Sequence, residues 1–298
     1  GEQLLQRYPL VSVVCTMQCA GNRAADAIVA LGSSGMQETP WERIHVGMAG
    51  NAHWKGVRLL DVLHDVLPDA MADSEGGLHV VFGGEDGFES STPLAAISED
   101  ALLVTEMNGE PLPRDHGAPM RVLLPGLIGA RNVKWVSSIS LQHKPCESPW
   151  QEFYYLDEEL KPIQKLPLQS FSLVSHVDRG LCAVQGVAYA GAGGCGIRSV
   201  EISTDRGTTW HPAVVMRSEV GSCDDAKGTW GWVRWIGVAP LPLSAAPAFC
   251  FEVWCRAVDE EGRTQERAPS FGAGYLFNGW HRLRVTCGEH GFLDTQEE

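Results

Sequence analysis

The sequence has no run of apolar residues long enough to cross a membrane. The longest, residues 238–251, is 14 residues long and contains Pro240, Pro242 and Pro247, whereas a spanning helix needs about 20 apolar residues. The chain also shows no secretory signal pattern at its start. We therefore expect a soluble protein, with a mitochondrial or a cytoplasmic location both left open.

Basic residues are scarce. The chain has 23 Lys and Arg against 37 Asp and Glu, which gives a formal net charge of −14. A protein this acidic repels nucleic-acid phosphates and anionic lipid, so neither is expected as a partner. With 44% hydrophobic and 20% charged residues the composition is that of a globular protein, and 298 residues suggest two domains.

The nine cysteines form no recognisable framework. The sequence contains no C-x-x-C motif and no N-x-S/T sequon, and the cysteine count is odd. Zinc knuckles, thioredoxin-type chemistry and a set of paired disulfides are therefore disfavoured. We expect free thiols, one of which could do more than pack.

Two regions of different character follow one another. The first mixes helix and strand signals: residues 57–66 have apolar residues at helical spacing, and short apolar runs predict strands at 11–15, 78–82, 101–105, 120–124 and 133–141. From about residue 165 short strands alternate with turns, which is typical of an Ig-like β-sandwich. We predict an α+β domain up to about residue 145 and an Ig-like β-sandwich from about residue 165.

Cys19 stands where the first strand runs into a turn of small residues, with Arg23 close behind it. A thiolate is a soft metal ligand and is favoured beside positive charge. Taken alone, the motif fits a buried packing cysteine better, because free cysteines are among the most buried residues.

Two loops gather basic and glycine residues. Residues 107–121 place His116 and Arg121 around the start of a strand, and residues 125–135 combine two glycines with Arg131 and Lys134. Arginine forks bind phosphate, and glycines let backbone approach a ligand closely. The alternative for each loop is a solvated turn between strands.

Together these segments resemble the sulfite oxidase family of molybdenum enzymes. The resemblance runs in order along nearly the whole chain, through residues 18–23, 51–59, 107–117, 125–135, 186–210, 230–232 and 278–282. It implies an α+β molybdopterin-binding domain over residues 1–150, followed by a dimerisation domain of the Ig-like β-sandwich type over residues 151–298. It also implies a molybdopterin-dependent oxidoreductase that transfers an oxygen atom and two electrons to or from a small oxyanion or sulfur compound.

The resemblance also assigns residues to the site. Cys19 would be the protein ligand of molybdenum, and Tyr155 and Arg23 would take part in catalysis, with Trp41 in the pocket. The expected cofactor-binding residues are Cys19, Asp86, His116, Arg121, Asn132, Val133 and Lys134. The implied partners are a second copy of the chain and a separate electron acceptor such as a cytochrome or haem domain.

The sequence departs from the family pattern at two arginines that bind sulfite. Ala24 stands at one and Ala273 aligns with the other. This disfavours the sulfite dianion and favours a less charged or bulkier substrate, unless Arg23 or Arg43 compensates. The opening segment of the family's cofactor domain is also missing, so we expect residues upstream of Gly1. The alternatives are a catalytically inactive dimeric family member and a nitrate reductase-like enzyme.

Overall fold

A computed structural model describes residues 2–31, 44–72, 77–216, 228–242, 249–269, 275–287 and 293–294. The chain divides into two compact units. The first unit comprises Gly1–Ala20, Ala49–Leu166 and Val220–Gly231, and the second comprises Gly21–Met48, Pro167–Glu219 and Trp232–Glu298. The predicted boundary between residues 150 and 151 stays a prediction; by compactness, residues up to Leu166 group with the first unit.

The first unit is built from two small sheets and short helices. Its elements are α1 (Glu2–Arg7), β1 (Leu10–Gln18), β2 (Ala49–Arg58), α3 (Leu59–Val66), α4 (Pro68–Ala72), β3 (His79–Gly84), β4 (Glu89–Pro93), β5 (Leu102–Met107), β6 (Glu110–Pro111), β7 (Arg121–Leu123), β8 (Val136–Gln142) and α5 (Pro149–Glu152); α2 (Ala24–Leu31) belongs to the second unit. One sheet has the order β1-β2-β5-β6 with β7 also paired to β5, and the other has the order β4-β3-β8.

The helix predicted over residues 57–66 begins only at Leu59. Val57 belongs to β2, which is antiparallel to β1 and β5. The apolar spacing did not separate the two because Val57 and Leu59 are both fully buried, one from a strand and one from a helix. Gly56 allows the tight crossing, since a Cβ there would lie 2.0 Å from the Leu103 carbonyl oxygen.

The predicted strands are found, with shifted ends. The first extends over Leu10–Gln18, where alternate residues from Val11 to Cys15 are buried, as expected for one face of a strand on a core. The last of them begins at Val136, three residues later than the apolar run, because residues 133–135 still belong to the preceding loop.

The second unit is dominated by one antiparallel sheet. Its strands are β9 (Gln169–Asp178), β10 (Leu181–Tyr189), β11 (Ile197–Ser203), β12 (His211–Met216), β13 (Val233–Pro240), β14 (Phe249–Asp259), β15 (His281–Cys287) and β16 (Leu293–Asp294). The order is β16-β15-β14-β11-β12-β13-β10-β9, and β9 also packs against β14 and β15, so the sheet folds over its own core. Trp235, Val253 and Cys255 lie in that core.

Every helix in the described ranges is too short or too polar to span a bilayer.

Candidate functional site

Cys19 lies directly after the last residue of β1, in the first unit. Its side chain is half-buried, whereas that of Cys15, four residues earlier within β1, is buried. Burial raises the pKa of the Cys15 thiol to about 12, so Cys15 stays protonated and inert at neutral pH. Of these two thiols, Cys19 is the one whose position suits a ligand.

The loop at residues 125–135 lies against the Cys19 segment. Its middle forms a 3₁₀ turn, Gly129–Arg131. A Cβ on Gly129 would lie 3.2 Å from the Gln18 carbonyl oxygen and 3.7 Å from the Cys19 Cα, so the glycine permits the close approach. The structure thus brings together two segments that are more than 100 residues apart in sequence.

Asn132 holds this loop from inside. Its side-chain carbonyl oxygen accepts the Leu124 amide at 2.6 Å, and its amide nitrogen donates to the Ile128 carbonyl oxygen at 3.0 Å. Because the side chain is buried and used within the loop, any contact of Asn132 with a bound group would come from its backbone. Val133 is buried as well, and its carbonyl oxygen accepts the Val122 amide.

Arg121 connects the two loops and the β1 end. The side chain is only 6% exposed, and it donates to the carbonyl oxygens of His116 at 2.9 Å and Asn132 at 3.1 Å. Its second terminal nitrogen also lies 3.4 Å from the sulfur of Met17, and the guanidinium stacks over the Trp54 ring at 5.2 Å. Arg121 therefore contacts the end of β1 at Met17, two residues before Cys19.

The charge of Arg121 is not neutralised within the described residues. Its Nε has no hydrogen-bond partner, and no described carboxylate pairs with it. Burial lowers the pKa of the guanidinium from 12.5 to about 10, so it is still protonated at neutral pH. A buried cation with a spare donor favours an anionic group beside it.

His116 and Lys134 stand on adjoining turns. His116 ends a 3₁₀ turn that Gly117 closes at φ 107°, and a Cβ on Gly117 would lie 3.0 Å from the Cβ of Lys134. Lys134 donates to the Asp115 carbonyl oxygen at 3.0 Å, and its ammonium lies 4.2 Å from the Trp135 ring centre. His116 is exposed and Lys134 half-exposed, so both remain within reach of a ligand.

Asp86 is exposed in the turn between β3 and β4. Its carboxylate accepts the Phe88 amide at 3.1 Å. A Cβ on Gly84 would lie 2.6 Å from that carboxylate and 2.9 Å from the Lys134 carbonyl oxygen, which places Asp86 next to Lys134. The Glu85 amide also donates to the Trp135 carbonyl oxygen at 3.0 Å.

Tyr155 belongs to the same unit. It is half-buried, with its backbone in the left-handed region at φ 53°, and its carbonyl oxygen accepts the Ile163 amide at 2.7 Å. A non-glycine residue adopts this conformation only where the surroundings hold it.

The two family models that match this chain cover both regions. An oxidoreductase molybdopterin binding domain matches residues 2–150, and a Mo-co oxidoreductase dimerisation domain matches residues 163–288. The chain belongs to the sulfite oxidase family. The predicted α+β molybdopterin-binding domain followed by an Ig-like β-sandwich is thereby confirmed.

Sulfite oxidases of animals and plants are among the relatives. Mitochondrial sulfite oxidase of Mus musculus is 34% identical over 309 residues, covering 94% of this chain and 54% of that protein. Sulfite oxidase of Arabidopsis thaliana is 32% identical over 325 residues, covering 95% of this chain and 78% of that protein. The chain thus spans about half the length of the animal relatives it matches.

A solved structure has the same fold. The sulfane dehydrogenase SoxCD of Paracoccus pantotrophus superposes with a TM-score of 0.73 at 23% identity, covering all of this chain and 74% of that one.

The residues of this sulfite oxidase family member fit an anionic pterin cofactor with a phosphate. The first unit offers the uncompensated guanidinium of Arg121, the exposed His116, the ammonium of Lys134 and glycine-lined backbone, all connected by the contacts above. These are the donors that a phosphate and a polar heterocycle require. The assignments themselves stay predictions.

Arg23, the remaining predicted catalytic residue, is described in the second unit. It is fully buried, donates from Nε to Asp26 at 2.8 Å and from Nη1 to Gln169 at 3.1 Å, and stacks over Phe277. Burial raises the pKa of the Asp26 carboxyl, but the charge and hydrogen bond of Arg23, together with His281 and His45, lower it by more, so the pKa falls below its ordinary value. Arg23 is thus ion-paired, and its catalytic role stays a prediction.

The family resemblance expects sulfite-binding arginines at two positions, and only one of them, Ala24, lies within the described residues. Ala24 begins α2 and is fully buried. Trp41, Arg43 and Ala273 lie outside the described residues, so the predictions on them stay as they were.

The sequence did not predict the burial and the long-range bonds of Arg131. Arg131 stood among the basic residues of the 125–135 loop, but no pattern showed that it would be fully buried and bonded to Ser90, Gln151 and Ile163. These partners are 20 to 41 residues away along the chain, which a local motif cannot reveal. Burial lowers the pKa of Arg131 to about 10 as well.

Proposed function

We propose that this chain is a molybdenum-cofactor oxidoreductase of the sulfite oxidase type, with Mo-molybdopterin bound in the first unit. The buried, uncompensated guanidinium of Arg121 carries the proposal, because its side chain contacts the His116 turn, the Asn132 loop and the end of β1 at Met17, and so places one cation where these three segments meet. When bound, the cofactor supplies two-electron redox chemistry and oxygen-atom transfer.

The chain's own residues would hold that group in distinct ways. The Cys19 thiolate would ligate the metal, and the cation of Arg121 would neutralise the phosphate together with Lys134. Asp86 and His116, both exposed at the same group of turns, would bond the heterocycle. The backbone carbonyl oxygens of Asn132 and Val133 would each accept one further hydrogen bond from it on the second lone pair, without any change in their buried side chains.

Tyr155 would act on the substrate side. Its phenol can donate to or accept from an oxygen of the substrate, and its fixed backbone limits the positions the ring can reach. Because Ala24 removes one expected cation, we propose a sulfur compound that is less charged or bulkier than sulfite. The sulfane dehydrogenase named above gives this choice only the support of a shared fold.

The proposal extends to two partners. The match to a dimerisation domain supports a homodimer through the second unit. The electrons removed from substrate require a separate acceptor, for which a cytochrome or haem domain is the expected class.

The first experiment measures molybdenum in the purified protein and turnover with two probes. Sulfite with ferricyanide as acceptor tests oxidation, and nitrate with reduced methyl viologen as donor tests reduction. Sulfite oxidation supports a sulfite oxidase-type enzyme but contradicts the choice of a less charged or bulkier substrate, and nitrate reduction supports the nitrate reductase-like alternative. Bound molybdenum without either activity supports the proposed substrate other than sulfite or the inactive alternative. A protein that holds no molybdenum and cannot be reconstituted with the cofactor contradicts the proposal.

Oxidation of thiosulfate and small sulfane compounds, measured in the same assay, separates the last two readings. Sedimentation that finds only monomer would remove the homodimer.

A further inference from the structure

Arg131 is a fully buried cation that belongs to the 125–135 loop. It donates from Nε to the Ile163 carbonyl oxygen at 2.8 Å and from Nη1 to Ser90 Oγ at 2.9 Å and Gln151 Oε1 at 2.5 Å. Its Nη2 has no hydrogen-bond partner, and no described carboxylate pairs with it. A group this costly to bury is expected to have a specific task.

The partner Ile163 closes the turn that carries Tyr155. The Ile163 amide donates to the Tyr155 carbonyl oxygen, while the Ile163 carbonyl oxygen accepts from Arg131. Leu156 and Pro162 form an isolated antiparallel bridge inside the same turn. One residue, Ile163, therefore joins the Tyr155 backbone to the Arg131 guanidinium.

Backbone pairing fixes the other side of this turn to the same loop. The Ile128 amide donates to the Gln164 carbonyl oxygen at 2.9 Å, and the Leu166 amide donates to the Gly126 carbonyl oxygen at 2.8 Å. The strand-like pairing ends at residue 128, so Arg131 supplies the next contact along the loop. Burial lowers the pKa of Arg131 to about 10, and the Tyr155 side chain lies close enough to interact with it electrostatically.

We propose that Arg131 is a positioning residue that fixes the Tyr155 turn, residues 155–163, to the 125–135 loop and so holds the Tyr155 phenol at the cofactor site. We call the bonds of Arg131 to Ile163, Ser90 and Gln151 the clamp. The role given to Tyr155 rests on the proposed function, whereas the clamp does not. Lysine cannot replace this arginine, because a single ammonium does not span acceptors on three separate segments.

The first test reads the clamp in cofactor-free protein. Arg131→Lys is compared with Arg58→Lys, a control in the same unit whose guanidinium bonds the Glu99 carbonyl oxygen and the Asp100 carboxylate, away from this turn. Hydrogen exchange at the Ile163 amide should become about tenfold faster or more in Arg131→Lys and stay at the wild-type rate in Arg58→Lys. Unchanged protection of Ile163 in Arg131→Lys overturns the proposal.

A spectroscopic probe at residue 155 provides a second reading. With 3-fluorotyrosine placed at 155, Arg131→Lys should shift or broaden the ¹⁹F signal, and the control should not. If Arg131→Lys does not fold, Ser90→Ala removes one bond of the clamp and takes its place in both measurements. A signal at 155 that is identical in wild type and the clamp variant counts against the proposal.

Turnover then separates positioning from general stability. With whichever probe the wild type turns over, Arg131→Lys should lower kcat in the wild-type background and have no further effect in a Tyr155→Phe background. Equal losses in both backgrounds mean that Arg131 acts on stability alone and overturn the proposal. If the wild type holds no molybdenum, the proposed function fails and the exchange and ¹⁹F measurements still decide the clamp.

Discussion

Replacing Arg121 by methionine should separate cofactor binding from folding. Arg121→Met keeps an unbranched apolar stem and removes the guanidinium with its charge. Burial depresses the pKa of this guanidinium from 12.5 to about 10, which corresponds to about 3 kcal/mol of unfavourable desolvation at 1.36 kcal/mol per unit. Removing the charge therefore stabilises the folded, cofactor-free chain by that amount of free energy.

The same change loses two bonds from a charged donor to carbonyl oxygens, those of His116 and Asn132. At about 1.5–3 kcal/mol each, they outweigh the desolvation by no more than about 3 kcal/mol. With about 2–4 °C per kcal/mol for a chain of this size, the melting temperature of the cofactor-free protein should fall by no more than about 12 °C.

Cofactor retention should respond far more strongly. Removing one partner of a buried charge pair costs about 3–5 kcal/mol, so affinity for the cofactor should fall by roughly a hundredfold to a few thousandfold. The assay is molybdenum per chain after purification, by plasma mass spectrometry, with thermal melting of the cofactor-free form. Lys55→Met is the control, because the Lys55 ammonium is already paired with Glu106.

Two results would refute this reasoning. Wild-type molybdenum content in Arg121→Met means that the buried cation does not face the cofactor. A fall in melting temperature well beyond about 12 °C without cofactor means that Arg121 is a structural residue whose bonds stabilise the fold by more than estimated.

Two further predictions concern the frame of each unit. Burial lowers the pKa of His281 from 6.5 to about 4, so between these pH values the unfolded chain binds a proton that the folded chain does not, and stability falls as the pH drops from 6.5 to 4. His281→Asn, which can still accept the Ser172 amide, should remove up to about 3 kcal/mol of this loss, measured by denaturant titrations across that pH range. Gly56→Ala should destabilise the fold by about 3 kcal/mol, because the new Cβ meets the Leu103 carbonyl oxygen at 2.0 Å, whereas Gly50→Ala, with open space around its Cβ, should melt within a degree or two of wild type.

The sequence allowed the strands to be predicted better than their partners. The apolar runs within β1, β3, β5 and β7 located the strands, because most residues of these runs are buried or half-buried. The sequence could not place the start of α3, where Val57 and Leu59 are buried alike. Nor could it show that α2, early in the chain, belongs to the second unit, because compactness is a property of distant contacts.

The site divides in the same way. Family resemblance pointed to loops that the structure does bring together, through Arg121 and Gly129. It could not show that the Asn132 side chain is used inside its own loop, or that Arg131 reaches Ile163. Both depend on side-chain bonds between segments whose spacing in sequence is irregular.

The most direct measurement of the central proposal counts the sulfur ligands of the bound metal by X-ray absorption at the molybdenum edge. In Cys19→Ser the metal should have one sulfur ligand fewer than in the wild type, while Cys15→Ser should match the wild type, because the Cys15 thiol is buried and protonated. An unchanged sulfur count in Cys19→Ser would contradict the assignment of Cys19 as the metal ligand.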